Sequence, residues 1–227
     1  MLDPKPEMTQ HGTPYFLAWT TTPWTLSSNT ALCVGPKIEY VAVQSFNPYT
    51  GEPATYVCAK ALLNAHFNPK AADIAFEDYK PGDKLVPFKV VAEYKGTDLV
   101  GMKYEQLLPW ITPENADQAF RVIPGDYVTT EDGTGIVHIA PTFGADDAKV
   151  AKAAGIPPLQ LIDKNGNLRP SVDLTGKFYL LSDLDDEYVK THINVEEYKQ
   201  FEGRFVKNAY DKNLTDKDES LDVSICM

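Results

Sequence analysis

The sequence predicts a mixed α/β (α+β) fold with a barrel-like mixed β-sheet and peripheral helices. Many short apolar runs are bounded by Gly, Pro, Asn or Ser, and few segments have a helical period. The 227 residues are 43% hydrophobic, which is enough apolar material for a sizeable core. Short strands with few helices favour a barrel-like sheet over a doubly wound one.

The predicted strands follow one another along most of the chain. They cover residues 15–19, 30–34, 39–44, 54–58, 86–93, 120–129 and 159–163, with the sixth interrupted by the Gly-Asp-Tyr at 125–127. The NPYTGE segment at 47–52 predicts a turn that joins the third and fourth strands into a hairpin. A short helix is predicted at 60–67, and the Lys-Asn-Gly-Asn at 164–167 predicts a turn after the last strand.

Three regions differ in composition. Residues 1–11 predict a flexible lead, residues 12–180 a single core, and residues 181–227 a charged helical appendage with a return strand. Apolar residues of the appendage are spaced for one helical face or two broken ones: Tyr188, Val189, Ile193, Val195, Tyr198 and Phe201. The final DVSICM resembles a strand, and an apolar strand at a terminus suggests a piece of a longer protein.

The net charge of −11 limits the partners that this chain can bind alone. No basic block stands out, so strong independent binding to nucleic acid is not expected. The three cysteines, Cys33, Cys58 and Cys226, show no paired spacing, which fits a reducing compartment. No apolar run approaches 18 residues and no signal peptide is apparent, so the sequence predicts a soluble, cytoplasmic protein.

Residues 132–147, DGTGIVHIAPTFGADD, combine features that suit a binding site. The short apolar run around His138 predicts a buried strand that ends near Pro141. Gly144 and the two carboxylates Asp146 and Asp147 then open an Ala- and Lys-rich run with helical pattern and a stop at Gly155. This order predicts a histidine and a carboxylate at one end of a sheet.

A second stretch, WTTTPWT at residues 19–25, carries three consecutive hydroxyl groups. Consecutive β-branched residues are compatible with a strand, in which Thr21 would face away from Thr20 and Thr22. Pro23 would end that strand. The expected result is a rim of hydroxyl groups at a strand end, followed by Ser27, Ser28 and Asn29.

Together the two stretches resemble the editing domain inserted in isoleucyl-tRNA synthetase (connective polypeptide 1). That family carries WTTTPWTLPxN and GTGxVHxAPxxGxDD, and this chain has WTTTPWTLSSN and GTGIVHIAPTFGADD. Ser27 stands where proline is usual, which should loosen the turn and leave the chemistry unchanged. The segment at 95–107 also resembles the connection between the motifs. The HIGH-like and KMSKS-like signatures of the synthetic site are absent from the sequence.

The resemblance implies hydrolysis of mischarged Val-tRNA(Ile), after transfer and also before it, at the adenylate. It implies catalytic roles for Thr20, Thr21, Thr22, His138 and Asp147, and substrate contacts from Trp24, Asn29, Phe143 and Gly144. Asp147 would bind the α-ammonium, and Asp146 would be structural or a cap. It further implies no metal and no cofactor for editing, with ATP and Mg used by the parent synthetase. The implied partners of a monomeric chain are the valine-bearing tRNA acceptor end and the remaining synthetase, without a membrane.

Each of these residues also has an ordinary structural interpretation. Acids are common in the first turn of a helix, a single histidine on a strand is more often structural, and threonine runs are ordinary in strands. Three alternatives stay open at this point. One is a metal-dependent hydrolase that uses His138 with Asp146 or Asp147, although these residues lack a recognised zinc spacing. Another is a nucleophilic hydrolase with a triad assembled in space, although the sequence has no GxSxG and no serine beside a histidine. The third is a non-catalytic module that binds the acceptor end of tRNA.

Overall fold

The computed structural model describes residues 1–207 and 213, and the chain divides into two units of interleaved segments. Unit 1 comprises Met1–Thr20, Leu32–Glu105 and Arg121–His138. Unit 2 comprises Thr21–Ala31, Gln106–Phe120 and Ile139–Met227. The mixed α+β class is confirmed, and the described strands form three separate sheets rather than one closed barrel.

Nine strands and five short α-helices account for the regular structure of the described residues. The strands are β1 Thr13–Phe16, β2 Ala31–Val34, β3 Glu39–Phe46, β4 Pro53–Ala59, β5 Lys89–Lys95, β6 Arg121–Pro124, β7 Ile136–Ile139, β8 Leu161–Ile162 and β9 Leu168–Arg169. The α-helices are α1 Leu63–His66, α2 Gly96–Leu99, α3 Ala145–Ala153, α4 Asp186–His192 and α5 Val195–Tyr198.

Unit 1 contains a four-stranded sheet in the order β1-β4-β3-β5. β1 runs parallel to β4, and β3 pairs antiparallel with both β4 and β5. The predicted β3–β4 hairpin is confirmed, because Asn47 closes the turn by accepting the Tyr49 and Thr50 N–H groups on its side-chain oxygen. Six buried side chains form the core beside this sheet: Val41, Val43, Cys58, Phe67, Ala71 and Phe88.

A second sheet has the order β6-β2-β7 and carries His138 on its last strand. Only Ala31 and Ile139, at strand ends, belong to unit 2. The central strand β2 is buried along its whole length, as its apolar sequence predicts. The prediction of one strand over residues 120–129 is correct only for β6, because a turn at 126–127 ends the pairing.

The first eleven residues pack against the rest of unit 1, although their polar composition predicts a flexible lead. Pro6–Thr9 forms a 3₁₀ helix, and the Met8 side chain inside it is completely buried. The Leu2 N–H donates to the Lys103 carbonyl at 2.9 Å. The buried methionine and this backbone hydrogen bond hold the first eleven residues in place, which composition alone does not show.

Two cysteine thiols of unit 1, Cys33 and Cys58, are buried. Burial raises the pKa of the Cys58 thiol to about 12, so it stays protonated at neutral pH. Cys226 and the predicted strand at 222–227 lie outside the described residues. In the part that is described, no helix is both long and apolar enough to cross a membrane.

Unit 2 has its own hydrophobic core, which the helices α4 and α5 help to build. Its fully buried members include Leu159, Leu161, Phe178, Leu184 and Tyr198. The apolar spacing in this region predicts either one helical face or two broken ones. The structure has two helices, each capped by a side chain. Asp185 accepts the Glu187 and Tyr188 N–H groups at the start of α4, and Asn194 caps α5 in the same way.

Helix α3 begins after Gly144 and ends where the sequence predicts. Gly155 has φ +69°, and its N–H donates to the Lys152 carbonyl. The next N–H, from Ile156, reaches back to the Ala151 carbonyl at 2.8 Å. These two bonds form a Schellman motif, which needs a left-handed residue such as glycine at this position.

A hairpin of unit 2, β8–β9, turns around the side chain of Asp163. Its carboxylate accepts the Asn165 and Asn167 N–H groups, both at 2.9 Å, and pairs with Arg169 at 2.7 Å. The Asn167 N–H above all, and then Arg169, holds the pKa of this carboxyl well below its usual range.

Asp163→Asn is therefore expected to lower the stability of the chain at pH 7. A depressed native pKa contributes stability above the unfolded-state pKa, about 4, and that contribution disappears as the pH falls through the native pKa. The Tm difference between wild type and Asp163→Asn should thus be largest at neutral pH and shrink below pH 4. A Tm difference that stays constant between pH 7 and pH 2 would contradict this role. Asp173→Asn, in a neighbouring turn, is a comparison variant with the same chemistry.

Candidate functional site

The threonine run does not form the strand that its sequence predicts. Trp19 makes a single parallel bridge to Val137, and its N–H donates to the Ile136 carbonyl at 2.9 Å. Thr21 lies in a bend, and a 3₁₀ helix, Pro23–Ser28, follows directly. Proline at the first position of a helix is preorganised for that start, so the helix rather than a ladder continues after Thr22. The expected alternation of the three side chains is therefore wrong.

The three threonines differ in exposure and in unit. Thr20 ends the first segment of unit 1 and is half-buried, whereas Thr21 opens unit 2 and is exposed. The Thr22 carbonyl accepts the Thr25 N–H at 2.9 Å and its hydroxyl at 2.8 Å. Thr22 therefore supports the turn, while the Thr21 side chain is accessible to a ligand.

Trp24 packs against the core of unit 2, which is its ordinary structural interpretation. Its ring lies beside the buried core cluster, and the Lys207 ammonium stands 4.1 Å from the ring centroid. Ser27, at the usual proline position, donates to the Trp24 carbonyl at 3.3 Å inside the 3₁₀ helix. The Ser28 and Ser171 hydroxyls are 2.8 Å apart and fully buried. Sequence reasoning missed Ser171, because it belongs to neither motif.

Within unit 2, the segment that follows the threonines is bonded to the segment that follows His138. The Thr30 N–H donates to the Ile139 carbonyl at 3.0 Å. The buried Asn29 amide donates to the Ala31 carbonyl at 2.9 Å and reaches the same Ile139 carbonyl at 3.5 Å. Asn29 thus bonds to the first residue of β2 and to the last residue of β7.

Asp147 binds to the next peptide of that segment. It is the third residue of α3, and one of its carboxylate oxygens accepts the Ala140 N–H at 2.9 Å. The side chain folds back over Gly144, where an added Cβ would lie 3.1 Å from the carboxylate carbon. Asp147 is half-buried, and Asp146 beside it points into solvent. One carboxylate oxygen of Asp147 therefore has a structural role, and the second oxygen remains available to a ligand.

Phe143 lies in the turn between β7 and α3. The Phe143 and Gly144 N–H groups both donate to the Ala140 carbonyl, at 3.0 and 3.2 Å. This bonding presents the Phe143 ring at the surface with 36% of its area exposed. A partly exposed aromatic ring is a suitable wall for an amphipathic ligand.

His138 lies on β7 in unit 1, with only 6% of its surface exposed. Two backbone hydrogen bonds hold this strand region in place. The Trp19 N–H donates to the Ile136 carbonyl, and the Ala59 N–H donates to the Thr134 carbonyl at 2.8 Å. A buried histidine on a fixed strand is suited to positioning rather than to proton exchange with solvent.

The Thr30 hydroxyl was not predicted as a site feature. It is completely buried, and no protein group among the described residues bonds to it. A buried hydroxyl without a protein partner is a natural place to hold a water molecule. Only its position after Asn29 in the motif signals it in the sequence.

The donor set for the metal-dependent alternative is not assembled in the part of the chain that the structure describes. There, no group of three or more His, Cys, Asp or Glu side chains is arranged to hold a metal ion.

Curated relatives match the chain along its length, whereas no family model matches it. An isoleucine–tRNA ligase of Bacteroides fragilis is 77% identical over 227 residues, covering 100% of this chain and 20% of that protein. The Porphyromonas gingivalis ligase is 60% identical over 228 residues, again 20% of its length. The Picrophilus torridus ligase is 38% identical over 164 residues, which are 72% of this chain and 14% of the relative.

The comparison with solved structures returns editing domains of leucyl-tRNA synthetases at low similarity. The P. knowlesi cytosolic leucyl-tRNA synthetase editing domain has a TM-score of 0.41 at 18% identity, covering 60% of this chain and 48% of that one. The P. falciparum counterpart also scores 0.41 at 18% identity, covering 63% and 48%.

These three relatives are aminoacyl-tRNA ligases. The chain belongs to the isoleucine–tRNA ligase family and spans about one fifth of the length of the curated relatives that match it in full.

Proposed function

We propose that this chain is the editing domain of its parent ligase and hydrolyses valine from mischarged tRNA(Ile). One observation supports this most. The segment after the threonines and the segment after His138, which are far apart in the sequence, are joined in unit 2 where the Thr30 N–H donates to the Ile139 carbonyl, and Asp147 folds back within its own segment to accept the N–H of the next residue, Ala140. The groups that the reaction needs are then delivered by rigid backbone rather than by mobile loops.

A second site is needed because the synthetic pocket discriminates isoleucine from valine poorly. One methylene in a hydrophobic pocket is worth about 1–3 kcal/mol, a general magnitude for which this amino-acid pair is a familiar example and which is not a measurement on this chain. A smaller site that admits valine and excludes isoleucine corrects the error afterwards. Such a site requires an ammonium partner, a tight side-chain wall and a positioned water.

In this proposal the second oxygen of Asp147 binds the substrate α-ammonium. The Ala140 N–H fixes the rotamer of the side chain and stabilises its negative charge, as does the start of α3. Phe143 and Gly144 line the same turn and contact the aminoacyl group. Asp146 is assigned no contact with the substrate.

The threonine hydroxyls bind the ester and the terminal ribose, and a threonine methyl group limits the size of the side chain. His138 positions the ester or the attacking water and is not assigned as the general base. The vicinal ribose hydroxyl of the substrate can assist the attack, so acid–base catalysis by the protein is a minor contribution. The reaction adds water to the ester carbonyl and releases valine and tRNA, without a cofactor.

The partners in this proposal are the tRNA(Ile) acceptor end and the rest of the ligase. At a net charge of −11 the chain repels the phosphate backbone, so most of the tRNA affinity must come from outside it. ATP and Mg serve the parent synthetic reaction only. Valyl-adenylate, which would be hydrolysed before transfer, is a second substrate of the same site.

Single replacements of the threonines test the proposal. In the parent ligase, at least one of Thr20→Ala, Thr21→Ala and Thr22→Ala should slow Val-tRNA(Ile) deacylation about tenfold, the order of one lost hydrogen bond, or allow Ile-tRNA(Ile) to be hydrolysed. Thr21→Ala is the clearest test of the three, because the Thr21 side chain is exposed and its removal disturbs no packing. Deacylation of both tRNAs and isoleucine activation are measured for each variant.

Thr25→Ala is the matched control, because that threonine supports the turn through the Thr22 carbonyl. Normal editing in all three variants would show that the hydroxyl rim is not catalytic. Binding of a valyl-adenosine analogue without any turnover of Val-tRNA(Ile) by the wild type would favour the non-catalytic module instead.

A further inference from the structure

A cavity lies entirely within unit 1, and none of the motif residues lines it. Its volume is about 380 Å³, near the lower end of the range for small-ligand sites, about 300–1,000 Å³. The lining residues used below are Phe46, Tyr56, His66, Phe67, Asn68 and Lys84. This volume excludes a duplex and is suited to a single planar group with a short polar extension.

The walls of the cavity are aromatic. The Tyr56 and Phe67 ring centroids are 6.1 Å apart, and Tyr15 stacks on Tyr56 at 6.0 Å. Phe46, a third aromatic lining residue, stacks on Tyr79 with the ring centroids 4.5 Å apart. Aromatic faces of this kind bind any nucleobase, since every base has a π-face.

The polar groups of the cavity favour an anion. None of its ten lining residues is acidic, although the chain carries 32 acids against 21 bases. Lys84 is exposed at the rim and has no carboxylate partner among the described residues. Asn68 adds an amide at the same rim. A cation beside an aromatic wall is the usual arrangement for a base with its phosphate.

The cavity is connected to the strand region that carries His138. The His66 ring N–H donates to the Gly133 carbonyl at 2.6 Å, in the segment that leads into β7. Leu17, another lining residue, precedes Trp19, which is bridged to the same strand. A ligand in the cavity is therefore held near the backbone that carries the first and second motifs within unit 1.

We propose that this cavity binds one unpaired nucleotide of the acceptor end, upstream of the nucleotide that carries the ester. The base stacks against Tyr56 and Phe67, and its phosphate lies beside Lys84. This subsite rests on the proposed editing function, because that function brings a single-stranded acceptor end to the chain.

The trinucleotide CpCpA, which carries no ester, tests the subsite by NMR titration of the 227-residue chain. Saturable shifts are expected at Tyr56, Phe67 and Asn68. Tyr56→Leu should weaken binding about tenfold through lost stacking, whereas Tyr56→Phe should keep it. Lys84→Ala should also reduce the slope of log K against log salt by about 0.7, the value for one phosphate contact on a single strand.

Matched controls are Tyr49→Ala and Lys37→Ala, which remove an exposed aromatic and an exposed lysine outside the cavity. Both should bind CpCpA as the wild type does. Shifts confined to other residues, no saturable shift at millimolar CpCpA, or an unchanged salt slope in Lys84→Ala would overturn the subsite.

The parent ligase separates this proposal from the editing function itself. If the subsite is correct, Lys84→Ala raises KM for Val-tRNA(Ile) but leaves hydrolysis of valyl-adenosine, which lacks the upstream nucleotide, unchanged. Normal Val-tRNA(Ile) kinetics in Lys84→Ala would overturn the subsite and leave editing intact. CpCpA binding in the cavity without any deacylation would retain the subsite and reject editing.

Discussion

Asp147→Asn is expected to slow Val-tRNA(Ile) deacylation by the parent ligase about 100-fold, while isoleucine activation stays unchanged. The asparagine side-chain oxygen still accepts the Ala140 N–H, so the turn before α3 keeps its hydrogen bond. The negative charge is lost. Removing one partner of a desolvated charge pair costs about 2–5 kcal/mol, and 1.4 kcal/mol corresponds to a factor of ten.

Asp147→Ala separates the two roles of this side chain. It removes both the charge and the hydrogen-bond acceptor, so it should lose deacylation like Asp147→Asn and should also unfold more easily, by about 1 kcal/mol or more. Asp146→Asn changes the same charge at an exposed neighbour and is expected to edit normally. Wild-type deacylation by Asp147→Asn would remove Asp147 from the site.

Local signals were sufficient for the elements that carry these residues. The apolar run around His138 predicts β7, and the Ala- and Lys-rich run with its glycine stop predicts α3 and its C-terminal cap. The β3–β4 hairpin follows from its turn residues. In each case the signal and the structure lie within a few consecutive residues, so short-range physics decides the outcome.

The threonine run shows where local propensity fails. β-branched residues favour a strand, but a strand also needs a partner over several residues, and only Trp19 finds one. The proline that was expected to end the strand instead begins a 3₁₀ helix, which directs Trp24 into the core of unit 2. Tertiary packing of that ring outweighs the weak preference of the threonines.

The pairing of the two motifs lies beyond any local signal. The residues of each motif are visible in the sequence, but their bonds are not. The bond from Thr30 to Ile139 joins segments over a hundred positions apart, and the bond between Asp147 and Ala140 folds one segment on itself. Ser171 and the aromatic cavity beside Tyr56 were not predicted for the same reason, since their partners come from several strands and loops. Composition and periodicity do not supply this pairing.

Gly135→Ala is expected to destabilise the chain by about 2–5 kcal/mol, the largest stability effect that the GTG part of the motif predicts. Gly135 has φ +74°, which costs an L-residue about 1–2 kcal/mol. An added Cβ would lie 2.4 Å from the Ala59 Cβ, and overpacking of this kind costs about 1–3 kcal/mol more. The Tyr40 hydroxyl donates to the Gly135 carbonyl at 2.7 Å, so the backbone has little freedom to move away.

Two further variants divide this effect into its steric and conformational parts, with the free energy of unfolding measured in urea. Ala59→Gly removes the opposing methyl group, so Gly135→Ala/Ala59→Gly should be more stable than the sum of the two single changes predicts. Gly101→Ala, also in unit 1, has φ +89° with no atom within 4 Å of the added Cβ, and should show only the conformational cost. If Gly135→Ala and Gly101→Ala lose equal stability and the double variant is additive, the contact with Ala59 is not what requires glycine. A supra-additive recovery would instead show that this motif glycine fixes β7, and with it His138, against β4.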